Sequence, residues 1–308
     1  MATRESTDTT PDVSPDLPST GWRVTLALLA RLPQPALSRA FGRLADVRIP
    51  LPMRRPVLTA FARAVHIDLH ETELPLQEYD TLDDFFVRRL RPGARSNPND
   101  RAVLACPVDG VVGQLGTVTG GQALQAKGRS YSVAQLVDDA REAERYDGGL
   151  FITLYLSPRH YHRIHAPCGD AVVAARHIPG ALMPVNRAAV SSMDNLFPRN
   201  ERMVCWIEGP LGRVAVVAIG AYNVGRISTT FDPDWAGPGR IGVTNRGTSV
   251  AESRRFDPPR PVAQGDEIMA FHLGSTLVML VEQGRVEFLT EVRDGREVRV
   301  GDVLARRF

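Results

Sequence analysis

The feature that most constrains the fold is a series of short apolar runs, rich in valine and isoleucine, that begins near residue 102. Each run is bounded by glycine, proline or aspartate, and runs of this length and composition are typical of β-strands. One longer segment, residues 132–145, predicts a helix among them. The sequence therefore predicts an α+β fold: short amphipathic N-terminal helices on a β-rich, mainly antiparallel body. The predicted strands are residues 110–115, 150–156, 171–178, 203–207, 213–219, 267–271, 276–281 and 285–289.

The residues before this body predict a different organisation. Residues 1–20 are rich in threonine, serine, proline and aspartate, a composition that predicts a disordered tail. Residues 21–95 predict a helical, membrane-associating region, with helices at 57–67 and 81–90. The β-rich domain then takes up residues 96–308.

The beginning of the helical region is strongly basic. Residues 22–55 contain seven arginines and a single acidic residue, Asp46, together with many leucines. Pro33 and Pro35 divide this stretch, which predicts two short amphipathic helices. Such helices can lie among lipid headgroups or pack on their own domain with the arginines in solvent. A membrane span is not predicted, because no window has about 20 consecutive apolar residues. Nucleic-acid binding is not favoured either, because the basic stretch lacks an interleaved series of aromatic residues on which bases could stack.

Counts of two residue types exclude further classes of protein. Three widely spaced cysteines argue against a disulfide framework and against a paired-cysteine metal site, and indicate a reducing, cytoplasmic setting. Residues 1–20 lack the features of a signal peptide, so export is not expected. Lys127 is the only lysine, so pyridoxal-phosphate chemistry would depend on that residue alone.

Candidate chemical groups lie in the histidine-rich segment 155–167 and at Asp109. Three of the seven histidines, His160, His162 and His165, fall within this segment, and three interpretations compete: a metal site, an acid–base pair or a plain surface loop. No nearby glutamate or cysteine completes a known metal spacing, so no metal site is predicted. Asp109 precedes a glycine, which is typical of a turn but also suits a carboxylate that orients a histidine.

A third candidate is the Leu-Gly-Ser-Thr sequence at residues 273–276, just before a β-branched apolar run. Such a sequence is typical of a glycine turn or bulge entering a strand. Alternatively, the hydroxyl of Ser275 attacks the carbonyl of Gly274, which glycine leaves unhindered. Asparagines and arginines at 184–187 and 195–202 either fix backbone turns or line an anionic pocket.

Eight segments, in this order, carry a resemblance to a known family: residues 81–88, 107–110, 124–128, 155–167, 185–186, 195–202, 220–225 and 273–276. Together they resemble the prokaryotic-type phosphatidylserine decarboxylases over most of the chain beyond residue 80. Several collinear motifs are far more specific than any one of them. The resemblance implies a self-processing, pyruvoyl-dependent enzyme that converts phosphatidylserine to phosphatidylethanolamine and carbon dioxide.

The resemblance also implies the roles of individual residues. The processing triad maps onto Asp109, His165 and Ser275, and the cleavage site onto Gly274 and Ser275. Serine is a poor nucleophile at neutral pH, so His165 would take its proton while Asp109 holds the imidazole. The amide at Gly274 would become an ester, and elimination followed by hydrolysis would leave a pyruvoyl group at position 275. His162 matches the family's other catalytic histidine.

The pyruvoyl group is the expected cofactor, formed covalently from Ser275. It would form a Schiff base with the amine of phosphatidylserine and accept the electron pair released with carbon dioxide, after which His162 reprotonates the carbon. Cleavage would give a β chain, residues 1–274, and an α chain, residues 275–308, which stay together as a heterodimer. Whether this unit dimerises further is left open.

The expected partners are phosphatidylserine and a membrane surface, with no nucleic acid. A lipid substrate places the enzyme at the cytoplasmic face of the cell membrane as a peripheral protein. His160 stands where the family commonly has aspartate, and it is left out of the catalytic set. Two other classes remain: a serine hydrolase that uses the same triad without cleavage, although no Gly-x-Ser-x-Gly elbow is present, and a noncatalytic lipid-surface binding module.

Overall fold

The computed structural model describes residues 43–221, 226–232, 250–272 and 275–308, and within these ranges the β-rich, antiparallel body is confirmed. The valine- and isoleucine-rich runs form strands close to their predicted bounds. The strands are β1 (Val103–Ala105), β2 (Gly110–Thr117), β3 (Gln122–Ala126), β4 (Arg129–Ser132), β5 (Leu150–Leu156), β6 (Arg163–His165), β7 (Asp170–Ile178), β8 (Arg202–Gly209), β9 (Gly212–Ile219), β10 (Arg226–Thr229), β11 (Glu252–Val262), β12 (Glu267–His272), β13 (Ser275–Val281), β14 (Val286–Phe288), β15 (Glu297–Val298) and β16 (Val303–Arg307).

Eight strands form the main sheet, in the order β11-β7-β8-β9-β13-β5-β2-β15. β13 lies within it, paired antiparallel with β9 on one side and with β5 on the other. Successive side chains of a strand point to opposite faces. Leu277 and Met279 join one buried cluster, whereas Val278 and Leu280 join the other. Because both faces are covered, β13 is apolar throughout instead of alternating with polar residues.

Three smaller groups of strands complete the body. They are the sheets β1-β16-β14 and β10-β12-β6, and the pair β3-β4. β12 and β13 therefore belong to different sheets, although only residues 273 and 274 separate them in the sequence. Those two residues lie outside the described part of the chain.

The helices are short, with one exception. They are α1 (Leu51–Val65), α2 (Leu82–Phe86), α3 (Val133–Val137), α4 (Ala140–Glu144), α5 (Arg187–Ser192) and α6 (Leu196–Arg199).

The prediction of a single helix over residues 132–145 is wrong. The chain makes two helices there because Asp138 adopts a left-handed conformation with φ of 54° and ends α3. Ser132 accepts a hydrogen bond from the Gln135 amide and caps α3, and Asp139 caps α4 in the same way. Polar capping residues at both starts thus favour two short helices over one.

The helices predicted before the body are present with shifted bounds. The one expected at 57–67 begins at Leu51, where proline fits the first turn of a helix. The one expected at 81–90 is shorter, and Thr81 caps it as predicted by accepting from the Asp84 amide at 3.0 Å. Both pack together through a small core of Leu58, Ala62, Ile67, Tyr79 and Phe85. Among the described residues no helix is long and apolar enough to cross a membrane. The predicted tail and most of the first two amphipathic helices fall in residues 1–42, outside the description.

Candidate active site

β13 is an interior strand, and its first residues lie at the edge of the main sheet that is formed by the ends of the strands. "Edge" is used below for this row of strand ends. The register aligns Val111 of β2, Tyr155 of β5 and Thr276 of β13 in one row across three neighbouring strands. Ser275 is the next residue towards the edge and pairs with Leu156. The backbone of Ser275 is therefore fixed in the sheet.

Asp109 comes one residue before β2 and so lies at the same edge, two strands from Ser275. Neighbouring strands are about 4.8 Å apart, which puts the two backbones about 10 Å from each other. Gly274 and the side chain of Ser275 lie outside the described part of the chain.

The histidine-rich segment runs past this edge through backbone hydrogen bonds. The His165 amide donates to the Pro107 carbonyl at 2.8 Å, two residues before Asp109. The Phe271 amide donates to the His162 carbonyl at 2.9 Å, near the end of β12. The structure thus brings the predicted residues Asp109, His162 and His165 to one end of the sheet, where β13 begins.

The hydrogen bonds of His165 define its tautomer. Nδ1 lies 2.7 Å from the carbonyl oxygen of Gly265, which can only accept, so Nδ1 carries the proton. Nε2 then accepts from the hydroxyl of Tyr161 at 3.0 Å. Burial lowers the pKa of His165 below its ordinary value, and the Gly265 bond and the charges of Glu267 and Asp109 only partly oppose it. His165 is therefore a neutral imidazole whose basic lone pair faces a hydroxyl group.

Asp109 is buried but bonded to other groups. Its carboxylate accepts from the guanidinium of Arg95, with Nε at 2.8 Å, and from the Val300 amide at 2.9 Å. Arg95 also pairs with Glu71. Among the described side chains there is no hydrogen bond between Asp109 and His165, so the direct orienting contact stays a prediction. The structure supports a weaker effect: the charge of Asp109 partly opposes the lowering of the His165 pKa by burial.

His162 has no exposed surface and a neutral ring. Nδ1 donates to the His160 carbonyl at 2.9 Å, while Nε2 is buried without a hydrogen-bond partner. Its ring packs on Phe86 with 4.1 Å between centroids. Burial, reinforced by the charge of Arg88, lowers the pKa of His162 to about 3. An unpaired buried lone pair of this kind is costly unless a ligand or water uses it.

His160 has a structural explanation that does not involve catalysis. Its Nδ1 accepts from the Ser157 amide at 2.9 Å, closing a tight turn. An aspartate carboxylate at this position could accept the same bond. His160 therefore closes the turn that an aspartate would close, without adding a negative charge.

A cavity of about 850 Å³ opens beside this edge of the sheet. Leu156, the pairing partner of Ser275, lines it together with apolar residues such as Val65 and Val185. Arg159 and His160 add polar groups and are shared with an adjoining charged cavity of about 370 Å³ that reaches Asp109. An apolar pocket with a few polar groups is the usual form of a small-molecule site.

The segments rich in asparagine and arginine mainly fix the backbone. Asn186 caps α5 by accepting from the Ala189 amide, and buried Asn200 donates to the carbonyls of Met183 and Gly220. Arg202 donates to four backbone carbonyls and is also buried. For Asn200 and Arg202 the anionic-pocket interpretation is wrong, whereas Asn186 does line the larger cavity.

Two residues that were not predicted as functional, Tyr161 and Arg95, contact the predicted site. Tyr161 lies inside the histidine motif, so its position was a signal, although its bond to His165 was not foreseen. Arg95 stands in a stretch without any motif, and its contact with Asp109 arises from folding alone. In the ranges described above, no three or more histidine, cysteine or acidic side chains are grouped to hold a metal ion, and all three cysteines are buried and free.

Comparison with known proteins gives a consistent result. The family model described as phosphatidylserine decarboxylase matches residues 82–306. The phosphatidylserine decarboxylase proenzyme of Anaeromyxobacter sp. (strain K) is 43% identical over 282 residues, which cover 92% of this chain and 98% of that protein. Proenzymes of the same name from Myxococcus xanthus and Acidovorax ebreus are 37% and 42% identical, and each match covers 90% of this chain and 95% of the relative.

Proposed function

The chain belongs to the phosphatidylserine decarboxylase family, and we propose that its precursor cleaves itself between Gly274 and Ser275 to make a pyruvoyl group. The protein is an enzyme of phospholipid biosynthesis, a decarboxylase made as a proenzyme. Family membership sets aside the other two classes that the sequence left open, a hydrolase and a noncatalytic lipid-binding module. The observation that carries the cleavage proposal is the fixed backbone of Ser275 at the same sheet edge as Asp109, His162 and His165.

The proposed cleavage has three steps: formation of an ester, elimination and hydrolysis. The Ser275 hydroxyl loses its proton and attacks the Gly274 carbonyl, so that the peptide C–N bond breaks and an ester forms. Loss of the α-proton of residue 275 then expels the Gly274 carboxylate and leaves an enamine at the new N-terminus. Water hydrolyses this group to the pyruvoyl ketone and releases ammonia.

His165 is the proposed base for the first of these steps. Its Nε2 lone pair is available at neutral pH because the ring is neutral and Nδ1 is held by the Gly265 carbonyl. The Tyr161 hydroxyl either rotates away or passes the proton on. Asp109 acts as a nearby negative charge that stabilises the protonated imidazole. Arg95 holds that carboxylate in place.

The surroundings of Ser275 fit a pyruvoyl group and an amine substrate. When formed, the group would supply an electrophilic carbonyl that binds the substrate's amine and accepts the electron pair of the bond that breaks when carbon dioxide leaves. The buried Nε2 of His162 has no partner in the described structure and is available for hydrogen bonding to a ligand. His162 must first gain a proton to act as an acid, and an anionic substrate beside it would raise its pKa.

The larger cavity is the proposed binding site for phosphatidylserine. Its wall contains Leu156, which pairs with Ser275, so a bound headgroup would lie near the reacting carbonyl. The apolar lining suits the glycerol and the first acyl carbons. Arg159 at the cavity can balance the negative charge of the phosphodiester, and His66 also lines the cavity.

The two proposed fragments would stay together after cleavage. The smaller one, residues 275–308, contributes β13 to the interior of the main sheet and β16 between β1 and β14. β13 keeps full ladders to β5 and β9, both in the larger fragment. Breaking the chain at the first residue of β13 leaves these ladders intact.

We further propose that the protein binds the cytoplasmic face of the cell membrane as a peripheral enzyme. Leu44, Val47, Leu51 and Met53 are each at least half exposed, and they fall within ten residues of the chain. Arg48 lies among them with its side chain 85% exposed. Apolar side chains next to arginine suit a headgroup layer with anionic lipid. α1 also carries Val65 to the larger cavity, which would place that cavity close to the lipid.

Mass spectrometry of the denatured, purified protein tests the cleavage. The wild type should give two fragments that divide at residue 275, the smaller with a blocked N-terminus, and Ser275→Ala should give one chain without decarboxylase activity. A single wild-type chain that is fully active would overturn the proposal.

Flotation with liposomes tests the membrane surface. Leu51→Asn combined with Met53→Asn should weaken binding to vesicles containing phosphatidylglycerol, and high salt should weaken it further. Leu124→Asn, an exposed leucine on β3, is the matched control. Removal of residues 1–42 tests the rest of the basic segment and leaves in place Asp46, which pairs with Arg226 in the body. Equal binding by all variants would reject this role.

A further inference from the structure

A second aspartate, histidine and serine are joined directly, outside the predicted triad. Nδ1 of His272 lies 2.7 Å from a carboxylate oxygen of Asp83, and Nε2 lies 3.0 Å from the hydroxyl of Ser228. Because a carboxylate can only accept, Nδ1 donates to Asp83, while Nε2 and the Ser228 hydroxyl share one hydrogen bond in which either group can donate. His272 and Asp83 are both buried.

Arg226 connects this group to the N-terminal helical region. It donates to Asp83 at 2.9 Å and makes two bonds of 2.6 Å to Asp46. Burial raises the pKa of the Asp83 carboxyl, but the bonds and charges of His272 and Arg226 outweigh it and the net direction is down. Asp83 is therefore ionised, and one carboxylate holds α2, β10 and β12 together.

His272 ends β12, where Arg226 of β10 is its register partner. It is the last described residue before the proposed cleavage site, and three residues of extended chain reach at most about 10 Å. The chain passes here from the three-stranded sheet to the main sheet. On the far side, Ser275 is already paired with Leu156.

We infer that His272 is a positioning residue for self-cleavage, held by Asp83 and Ser228 so that the end of β12 is fixed relative to the start of β13. The inference rests on the proposed cleavage between Gly274 and Ser275. An intramolecular attack requires the oxygen and the carbonyl carbon to be held about 3 to 3.5 Å apart, and a misplacement of about 1 Å can slow such a step about a hundredfold. The pairing of β13 anchors one side of the reacting bond, and His272 anchors the other.

The roles of the two ring nitrogens make the inference specific. Asparagine can replace Nδ1 of histidine as a donor to Asp83, although it loses the contact with Ser228. His272→Asn should therefore retain part of the effect that His272→Ala loses. A residue that merely fills space would show no such rescue by a smaller polar side chain.

The test measures cleavage kinetics of the full-length chain after a pulse of cell-free translation, together with the melting temperature in a Ser275→Ala background. His272→Ala should slow the appearance of residues 275–308 about tenfold, and His272→Asn should slow it less. His177→Asn is the matched control, since His177 is equally buried and bonds to Glu201 at 2.8 Å, three strands away from β13. It should lose melting temperature but cleave at the wild-type rate.

Three outcomes overturn the inference. One is wild-type cleavage by His272→Ala, and another is equal slowing by His177→Asn, which would mean that cleavage follows general stability. If His272→Ala fails to fold, Ser228→Ala decides, because it removes one oxygen and leaves the bond to Asp83; it should be several-fold slower, and a wild-type rate is the third contrary result. A wild type that never cleaves would instead overturn the proposed function itself.

Discussion

Two aspartate–histidine pairs lie in this domain and differ in what each carboxylate does. Asp83 accepts directly from His272 and holds it in place. Asp109 lies near His165 but accepts from Arg95, and His165 has other partners. Asp83 accepts from both His272 and Arg226, whereas Asp109 accepts from Arg95 and has no hydrogen bond to His165 in the described part of the chain.

The difference separates a connecting histidine from a basic one. Both nitrogens of His272 are bonded to side chains on other elements, so movement of the ring would break a contact. His165 has only its Nδ1 fixed by backbone, and its Nε2 faces the Tyr161 hydroxyl, which can rotate about its C–O bond. An accessible lone pair, more than an adjacent carboxylate, is what equips a histidine to take a proton.

The largest expected effect is that of removing the proposed base. His165→Ala should slow self-cleavage about a thousandfold, because general bases contribute about 10² to 10⁴. A gel of pulse-labelled chains would measure it, with exposed His70→Ala as the control. If His165→Ala cleaves no more slowly than His272→Ala, the distinction between base and connector is lost.

His162 is expected to affect decarboxylation and not self-cleavage, which distinguishes it from both His165 and His272. His162→Ala should still yield both fragments but release carbon dioxide from phosphatidylserine vesicles about a hundredfold more slowly, as expected for a lost acid. Rates are to be compared per pyruvoyl group, counted by mass spectrometry. Undiminished decarboxylation would remove His162 from the mechanism.

Asp109→Asn asks whether the Asp109 carboxylate acts directly on His165. The amide can still accept from the Val300 backbone but removes the ion pair with Arg95, so a loss of about 1 to 3 kcal/mol in unfolding free energy is expected. Cleavage should slow about tenfold, far less than the roughly 10⁴ lost when a bonded triad aspartate becomes an amide.

Chemical denaturation and cleavage kinetics on the same preparation of Asp109→Asn would separate these effects, with Glu71→Gln as the control for a weakened Arg95. Should cleavage fall as far as in His165→Ala, Asp109 must contact His165 in the reacting state. The two pairs would then be alike.

The smallest expected effect concerns acid stability. The pKa of His162 is about 3 in the fold against an ordinary 6.5, so the unfolded chain binds a proton more readily as the pH falls. Stability from this group is complete above pH 6.5 and is lost towards pH 3, by at most about 1.4 kcal/mol per pH unit. Urea denaturation at pH 7.5 and 5.5, in a Ser275→Ala background, should show a smaller loss for His162→Gln. Equal losses of unfolding free energy with and without His162→Gln would mean that other groups cause the loss of stability at low pH.

The fold was largely predictable because its strands are buried on both faces and therefore consist of continuous valine- and isoleucine-rich runs. The break at Asp138 was not, because a single left-handed residue changes one helix into two without altering the apolar pattern. Sheet order was also out of reach, since the pairing of β13 with β9 and β5 joins segments far apart in sequence.

For the site, the sequence indicated which residues meet but not how they bond. Asp109, His162 and His165 do gather at one sheet edge. The partners of His165 and Asp109 include Gly265, 100 residues away in one case, and Val300, 191 residues away in the other. Contacts of that range depend on the packed structure, and no local motif encodes them.

The position of β13, locked between two neighbours, has a consequence for the working life of the molecule. If its first residue becomes the reactive carbonyl, the cofactor cannot dissociate, be exchanged between copies or be replaced from a cellular pool. Chemical damage to that one ketone would then inactivate the whole protein molecule permanently, and active sites could be renewed only by new protein synthesis. Catalytic capacity in such a system would follow the rate of translation and the lifetime of the fold, with no vitamin supply to limit it.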